Sequence, residues 1–418
     1  MLTMALMSLV LQATSEDRPN ILFIITDDHR PDALGCYGNA SIRTPHFDRI
    51  AAEGARFDCF YVAAPLCCPS RAAALSGLYP HQEKNLVLNN RAKPDLRDPS
   101  ATVATLLKSA GYTTGFIGKA HMGGDPRTWG FHETPIWLPT GGSKHRNPVL
   151  MVDGAEKSVE GQITQIFADA AIRWLDRHKS DRWFLWLATT APHTPYVHDP
   201  RHPYERAKIQ PPPLWPKGKP LSDADWPGYY STISMLDEQI GRVVAKLKDL
   251  GQLDRTLLVV MGDNGFMHGS HDHRAKSVWY EESARVPALA RWPGKIKAGS
   301  VVSTPAVSVD LMATFAGVTG ARVPEGREGL SLLPALTGKE PLRKVAYAEV
   351  QAEREGGHWQ LVRTPKFKYV RFVSSGKELL YDLEKDPNEQ RDVAGDSAYA
   401  ASLTELRSLH KEWVKATK

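Results

Sequence analysis

The sequence predicts an α/β protein, with a large, mostly parallel central sheet flanked by helices and a smaller C-terminal subdomain of antiparallel strands and one helix. Three observations carry this expectation. Continuous apolar runs ending in polar residues alternate with helical segments from Asn20 to Met261, as strands buried on both faces require. Beyond about Leu330 the texture changes to short strands with tight connections and a last helix. A chain of 418 residues, 42% hydrophobic and 24% charged, is long enough to bury a large core.

Met1 to Ala13 is a short apolar run followed by polar Thr14 to Asp17. Residues 1–16 read as an export leader, although Arg18 is the first basic residue. The run is too short for a membrane helix, and no other segment could span a bilayer. The expected location is therefore periplasmic or secreted. Residues 17–335 are expected to form the catalytic α/β domain and residues 336–418 the α+β subdomain.

Asn20 to Thr26 reads as a buried central strand ending in Asp27-Asp28. Pro45 to Gly54 is a helix with Pro at its start and Gly at its end, and Ala55 to Val62 a strand. Pro69 to Ser76 is a helix closed by Gly77, and Ala101 to Ala110 another, capped by Gly111. Tyr112 to Ile117 is a strand leading into Gly118-Lys119-Ala120-His121. The stretch 123–161, rich in Gly, Pro and Trp, is expected to be irregular. Ile163 to His178 is an amphipathic helix, and Trp183 to Thr189 a buried strand leading to Pro192-His193. Residues 192–227, with Pro211-Pro212-Pro213, form a long surface excursion, which tends to be functional. Tyr229 to Leu250 is a helix, and Thr256 to Met261 a strand ending in Gly262-Asp263-Asn264-Gly265. Four short strands between Val345 and Leu383 and a helix from Ser397 to Ala416 complete the chain.

The net charge of +5 favours anions weakly but is too small and dispersed for a nucleic-acid partner. Four cysteines, Cys36, Cys59, Cys67 and Cys68, do not make a disulfide scaffold in a chain this long.

Strands that end in polar residues bring them to the carboxyl edge of the sheet, where ligands bind in such folds. Asp27, Asp28, Asp263 and Asn264 are hard oxygen donors of the kind that suit Ca²⁺ or Mg²⁺ better than zinc. Three neighbouring carboxylates would repel one another without a cation. Either pair alone could simply cap a loop, but two pairs at matching strand ends argue for a metal.

The segment Cys67-Cys68-Pro69-Ser70-Arg71-Ala72-Ala73-Ala74-Leu75-Ser76-Gly77 is similar to the signature of the sulfatase family, within the alkaline phosphatase superfamily. Gly118-Lys119-Ala120-His121-Met122-Gly123, Pro192-His193-Thr194-Pro195, and Lys276 four residues before Tyr280 also resemble family patterns. Alone, each such residue would read as a solvated lysine, a surface histidine or a buried free cysteine, so the weight lies in their joint occurrence.

The resemblance implies a sulfuric ester hydrolase whose Cys67 is oxidised to formylglycine by a maturation enzyme. It also implies one Ca²⁺ held by Asp27, Asp28, Asp263, Asn264 and the modified Cys67. Arg71, Lys119 and Lys276 would neutralise the sulfate, His193 would protonate the leaving oxygen, and His121 would release the sulfate. The expected substrate is a small-molecule or oligosaccharide sulfate ester. Trp129, Trp137, Trp215 and Trp226 could meet a sugar or pack the core. His268, His271 and His273 are expected to form a polar loop. The rival readings are a phosphonate monoester or phosphodiester hydrolase and an inactive sulfated-glycan binding relative.

Overall fold

The computed structural model describes residues 18–83, 95–351 and 357–418, so the expected leader lies outside the described residues. Strand β1 (Asn20–Thr26) is followed by helix α1 (Pro45–Ala52), strands β2 (Ala55–Phe57) and β3 (Phe60–Tyr61), helices α2 (Cys67–Ser76) and α3 (Val103–Ser109), and strand β4 (Thr113–Lys119). Strands β5 (Glu133–Leu138), β6 (Val149–Val152) and β7 (Ala155–Ser158) come next, then α4 (Ile163–Arg177), β8 (Trp183–Ala188), α5 (Trp226–Asp249) and β9 (Thr256–Gly262). After α6 (Glu281–Ala284) come β10 (Ala288–Arg291), β11 (Ser300–Val302), β12 (Ala306–Val307), α7 (Asp310–Thr319) and α8 (Leu333–Leu336). The C-terminal part holds β13 (Ala346–Val350), β14 (Trp359–Arg363), β15 (Phe367–Phe372), β16 (Glu378–Asp382) and α9 (Ala400–Ala416).

Ten strands form the large sheet, in the order β11-β2-β10-β9-β1-β8-β4-β5-β6-β7. Its centre is parallel: β1 pairs with β9 and β8, and β4 with β8 and β5. Antiparallel pairs occur towards the edges, at β10 and at the β6–β7 hairpin. The unbroken apolar run of β1 has a direct cause. Ile21, Phe23 and Ile25 face a cluster with Leu107 of α3 and Phe315 of α7. Leu22 and Ile24 face the opposite cluster, with Trp174 of α4 and Ile233 of α5. A strand covered on both faces has no polar side to show.

The structure departs from expectation in two places. The stretch 123–161 is not irregular throughout, because β5, β6 and β7 extend the sheet there. Pro135 has no N–H to donate, and the register between β4 and β5 shifts beside it; its punctuation hides a strand. The expected strand from Ala55 to Val62 breaks at Asp58, whose N–H turns to Val302 O at 3.0 Å. β2 stays in the large sheet, whereas β3 pairs with β12.

Strands β13 to β16 form a separate antiparallel sheet. Helix α9 lies on it through Leu403, Leu406, His410 and Trp413. Glu349 N–H donates to Ala63 O at 2.9 Å and Trp359 Nε1–H to Ser277 O at 3.0 Å. These bonds fasten the small sheet to the rim of the large one.

Candidate active site

β1 and β9 are parallel neighbours with Thr26 opposite Gly262. That register sets the residues that follow side by side: Asp27-Asp28 beside Asp263-Asn264. On the other flank of β1, β8 leads to His193, and β4 ends at Lys119 with His121 just beyond. Gly118 must be glycine: its φ is +113°, and a Cβ there would lie 1.7 Å from Ala188 O of the adjacent strand. Helix α2 starts at Cys67, so the thiol sits at the positive end of the helix dipole. Arg71 follows one turn later on the same side. Ala72, Ala73 and Ala74 are all buried and keep the helix thin enough to sink into the core.

Asp27, Asp28, Cys67 and Asp263 each place one potential ligand atom within 4.8 Å of the others, and all four are buried. Cys67 Sγ lies 3.4 Å from Asp27 Oδ1 and 2.7 Å from Lys276 Nζ. Lys119 Nζ is in close contact with Asp27 Oδ2, and Lys276 Nζ with Asp28 Oδ1. Arg71 Nε–H donates to Asp263 Oδ2 at 2.8 Å, and its Nη1–H to Lys119 O at 2.9 Å. Arg71 Nη2 has no hydrogen-bond partner although it is buried. Asn264 Nδ2–H donates to Asp28 Oδ1 at 2.6 Å, while its Oδ1 is buried without a partner. His193 Nε2 stands 3.8 Å from Asp28 Oδ2.

Asp28 adopts a left-handed backbone with φ of 60°, tolerable for Asp and frequent where geometry is functional. Its conformation is held by its own N–H, which donates to Asp263 Oδ1 at 3.2 Å, and by Tyr229 Oη–H, which donates to Asp28 O at 2.8 Å.

The charges shape one another. Burial opposes the ionisation of Asp27, but Lys119, His193, Arg71 and Lys276 outweigh it and hold the carboxyl well below its ordinary range. Burial and then the Asp27 charge push Asp263 up to about 6, against Arg71, Lys119 and Lys276. Burial, then Asp27, raise the Cys67 thiol well above its usual value. Burial opposes the Lys276 charge, yet Asp28 and Cys67 hold its ammonium protonated. Burial and the Lys119 charge lower His121 to about 3, so its ring is neutral.

These residues suit a hard divalent cation. Three carboxylates and the Cys67 sulfur converge, and beside them the orphaned Asn264 Oδ1 is an acceptor that lacks a donor. Asp263, pushed upward beside Asp27, would be relieved by positive charge.

The structure therefore brings together Asp27, Asp28, Cys67, Arg71, Lys119, His121, His193, Asp263, Asn264 and Lys276. The three downstream histidines do not join them. His268 stacks on Tyr229 with centroids 4.8 Å apart, and His271 on Tyr280 at 4.0 Å, with His273 5.8 Å from the same tyrosine. The four tryptophans pack the core, none more than 6% exposed. All four cysteines are free. Two neighbours of the site were not foreseen. His145 is buried against the His193 main chain, in the loop whose Gly142 would put a Cβ 3.6 Å from the His193 ring. Tyr229 reaches Asp28 from the first turn of α5. His145 had no sequence signal, since loop closure alone brings it there.

An acidic pocket collared by arginine and lysines, at the carboxyl edge of a parallel sheet, defines a hydrolase of an anionic ester. The sulfatase family model matches residues 19–321, and that of the N-sulphoglucosamine sulphohydrolase C-terminal region matches residues 268–416. The chain belongs to the sulfatase family and is a sulfuric ester hydrolase. It is 30% identical to the N-acetylglucosamine-6-O-sulfatase of Bacteroides thetaiotaomicron, over 97% of this chain and 88% of that one. It is 31% identical to human arylsulfatase A, over 91% and 84% of the two chains. A solved structure in complex with its substrate D-glucosamine-2-N,6-O-disulfate superposes with a TM-score of 0.83 at 29% identity, covering 96% of this chain and 98% of the other.

Proposed function

We propose that this sulfatase removes sulfate from a sulfated carbohydrate, with formylglycine made from Cys67 as the nucleophile and one Ca²⁺ at the acidic pocket. The observation that carries the reading is the convergence of Cys67 with three carboxylates and an unpartnered amide oxygen. The carbohydrate is supported by the relatives, among them the N-acetylglucosamine-6-O-sulfatase and a structure holding k-i-k-neocarrahexaose, with a TM-score of 0.82 at 28% identity over 96% of this chain and 94% of that one.

Asp27, Asp28, Asp263, Asn264 and the modified residue 67 would hold the cation, which supplies positive charge to the sulfate oxygens and to the nucleophile. Arg71 Nη2, which makes no hydrogen bond and stands 3.7 Å from Asp27 Oδ2, offers N–H donors to the sulfate, as do the ammonium groups of Lys119 and Lys276. The aldehyde of the oxidised residue hydrates to a gem-diol. One hydroxyl gives its proton to Asp263 and attacks sulfur, the S–O bond to the sugar breaks, and His193 with Lys276 protonates the departing oxygen. His121 then takes the proton of the second hydroxyl. The C–O bond to sulfate breaks and the aldehyde returns without a second attack at sulfur. Residues 17–335 are taken as the catalytic unit and 336–418 as a subdomain. Among the described residues no helix is long and apolar enough to cross a membrane. Export by the 1–16 leader, to the periplasm or medium, is part of the same proposal.

The test combines the mass of the peptide spanning Cys67, turnover of matched aryl sulfate, phosphonate and phosphodiester substrates, and two variants. Loss of sulfur with gain of oxygen at residue 67 is expected, together with preference for the sulfate, no turnover by Cys67→Ala and stalled sulfated protein in Cys67→Ser. Full turnover by Cys67→Ala would refute the mechanism.

A further inference from the structure

The loop between β5 and β6, residues 139–148, touches both histidines assigned to proton transfer, and it is held at each end. Lys119 pairs with Leu138, the last residue of β5, and Ala120 N–H donates to Leu138 O at 2.9 Å, so the loop leaves the sheet beside the site. At the far end Ile163 N–H donates to His145 O at 2.8 Å and Asn147 N–H to Gly161 O at 2.8 Å. Gly161 N–H returns to Asn147 Oδ1 at 2.9 Å. These bonds tie the loop to the start of α4.

Gly141 lies flat against His121. A Cβ there would stand 2.5 Å from Cε1 of the ring and closer still to Nε2. Gly141 is not one of the left-handed glycines, so the His121 ring, not the backbone, demands the missing side chain. The ring's Nδ1 is buried with no hydrogen-bond partner, so packing rather than a bond at that nitrogen sets its orientation.

His193 is held differently. Its Nδ1 lies 2.7 Å from Thr194 O; a carbonyl only accepts, so Nδ1 carries the hydrogen and Nε2 is left 3.8 Å from Asp28 Oδ2. His145, 7% exposed, bears on the His193 main chain, and its own Nδ1 is sealed from solvent. Burial first, then the His193 charge, lower the His145 ring to about 4, so it stays neutral beside its neighbour. His145 thus acts on His193 and not on the ester, which makes it a positioning residue.

We propose that this loop positions both proton-transferring histidines, His121 through the backbone at Gly141 and His193 through the ring of His145. The inference rests on the roles given to those histidines above. Two kinetic quantities separate them. kcat/KM ends at cleavage of the S–O bond to the leaving group, which His193 assists, whereas kcat also contains release of sulfate from residue 67, which His121 assists.

The probes are 4-nitrophenyl sulfate, whose leaving oxygen needs little protonation, and phenyl sulfate, whose leaving oxygen needs more. His145→Ala should lower kcat/KM about tenfold on phenyl sulfate and less than about twofold on 4-nitrophenyl sulfate, and His145→Gln, which restores a polar donor, should recover most of the loss. Gly141→Ala should lower kcat and KM together by about tenfold on 4-nitrophenyl sulfate, with sulfated protein accumulating. Gly142→Ala, whose methyl would meet the His193 ring at an ordinary 3.6 Å, should cost less than about threefold. Both readouts are ratios within one variant, so partial unfolding, which scales every rate alike, does not mimic them. Equal losses on the two esters in His145→Ala overturn its part, and a fall in kcat at unchanged KM in Gly141→Ala overturns the part of that glycine. His193→Ala and His121→Ala must show the same two patterns more strongly. If they do not, the roles given to those histidines fall, and the inference with them.

Discussion

Two buried clusters of carboxylates and cations lie in this molecule, and they differ in how their charges end. At the seam, Lys368 Nζ is 2.7 Å from Glu281, 2.7 Å from Glu389 and 3.0 Å from Trp279 O. Two carboxylates and a carbonyl oxygen thus surround the ammonium within 3.0 Å. Arg285 closes on the same Glu281 at 2.5 Å. At the strand ends the cations are equally buried, but Arg71 Nη2 and Asn264 Oδ1 have no hydrogen-bond partner among the described residues. At the seam Arg285 Nε and Glu389 Oε1 make no hydrogen bond either, yet each faces an opposite charge within 2.7 Å, and the cluster holds two sheets together. The site keeps polar atoms in reserve for groups that arrive from outside. Burial and charge alone would not separate the two clusters; what does is that Asn264 Oδ1 has no partner and Arg71 Nη2 stands 3.7 Å from its nearest carboxylate, whereas the seam's unbonded atoms sit in tight ion pairs.

That contrast can be broken by substitution, the largest effect first. Asp263→Asn should reduce kcat/KM on an aryl sulfate by about a thousandfold or more, since it removes charge from the reacting centre. Thermal unfolding should show its Tm unchanged or higher, because a carboxyl raised by burial and by Asp27 is relieved. A variant that is inactive only because it is unfolded would erase the distinction. Lys368→Met should do the opposite. Removing one partner leaves Glu281 and Glu389 unpaired and costs about 3–5 kcal/mol, read from urea unfolding. Activity per folded molecule should stay near that of the parent. A third measurement addresses the cation directly. With Ca²⁺ at 100 times its dissociation constant, the native state should gain about 2.7 kcal/mol. Asp27→Asn should lose most of that gain, while Lys368→Met should keep it.

The smallest effect concerns a second fastening between the two sheets. His81 Nδ1 is 2.7 Å from Glu349 Oε1, and its Nε2 is 2.8 Å from Thr417 Oγ1. Burial opposes the charge on His81, but Glu349 outweighs it and raises the imidazole. A raised histidine contributes its full stability below the unfolded value of about 6.5 and loses it as pH climbs through the higher folded value. The Tm difference between the parent and His81→Gln should therefore shrink from pH 6 towards about pH 9. A difference that grows with pH would show that the bond works through the neutral ring.

Much of this was legible in the sequence, for physical reasons. β1 and β9 are covered on both faces, so each reads as an unbroken apolar run, and the polar residues after it mark the sheet's carboxyl edge. The acidic pair and Asp263-Asn264 could therefore be matched before their register was known. The edge of the sheet was not legible. β7 is exposed along its whole length and β5 contains Pro135, so neither carries the apolar pattern of a central strand. Trp215 and Trp226 sit in the proline-rich excursion and could be taken for sugar platforms, yet they pack edge to face with centroids 5.7 Å apart. His145 and Tyr229 reach the site by tertiary closure, which leaves no trace in local spacing.

Cys67 is only 2% exposed, at the first turn of a helix whose every residue is buried. Once α2 has docked, no second protein can grip that sulfur. Under the formylglycine proposal, the catalyst that converts it would have to meet the stretch from residue 67 to 77 while it is still an unfolded ribbon. That proposal then sets an order of events in the life of the molecule: chemical completion precedes closure, and a copy that closes too early would stay idle however well it is packed.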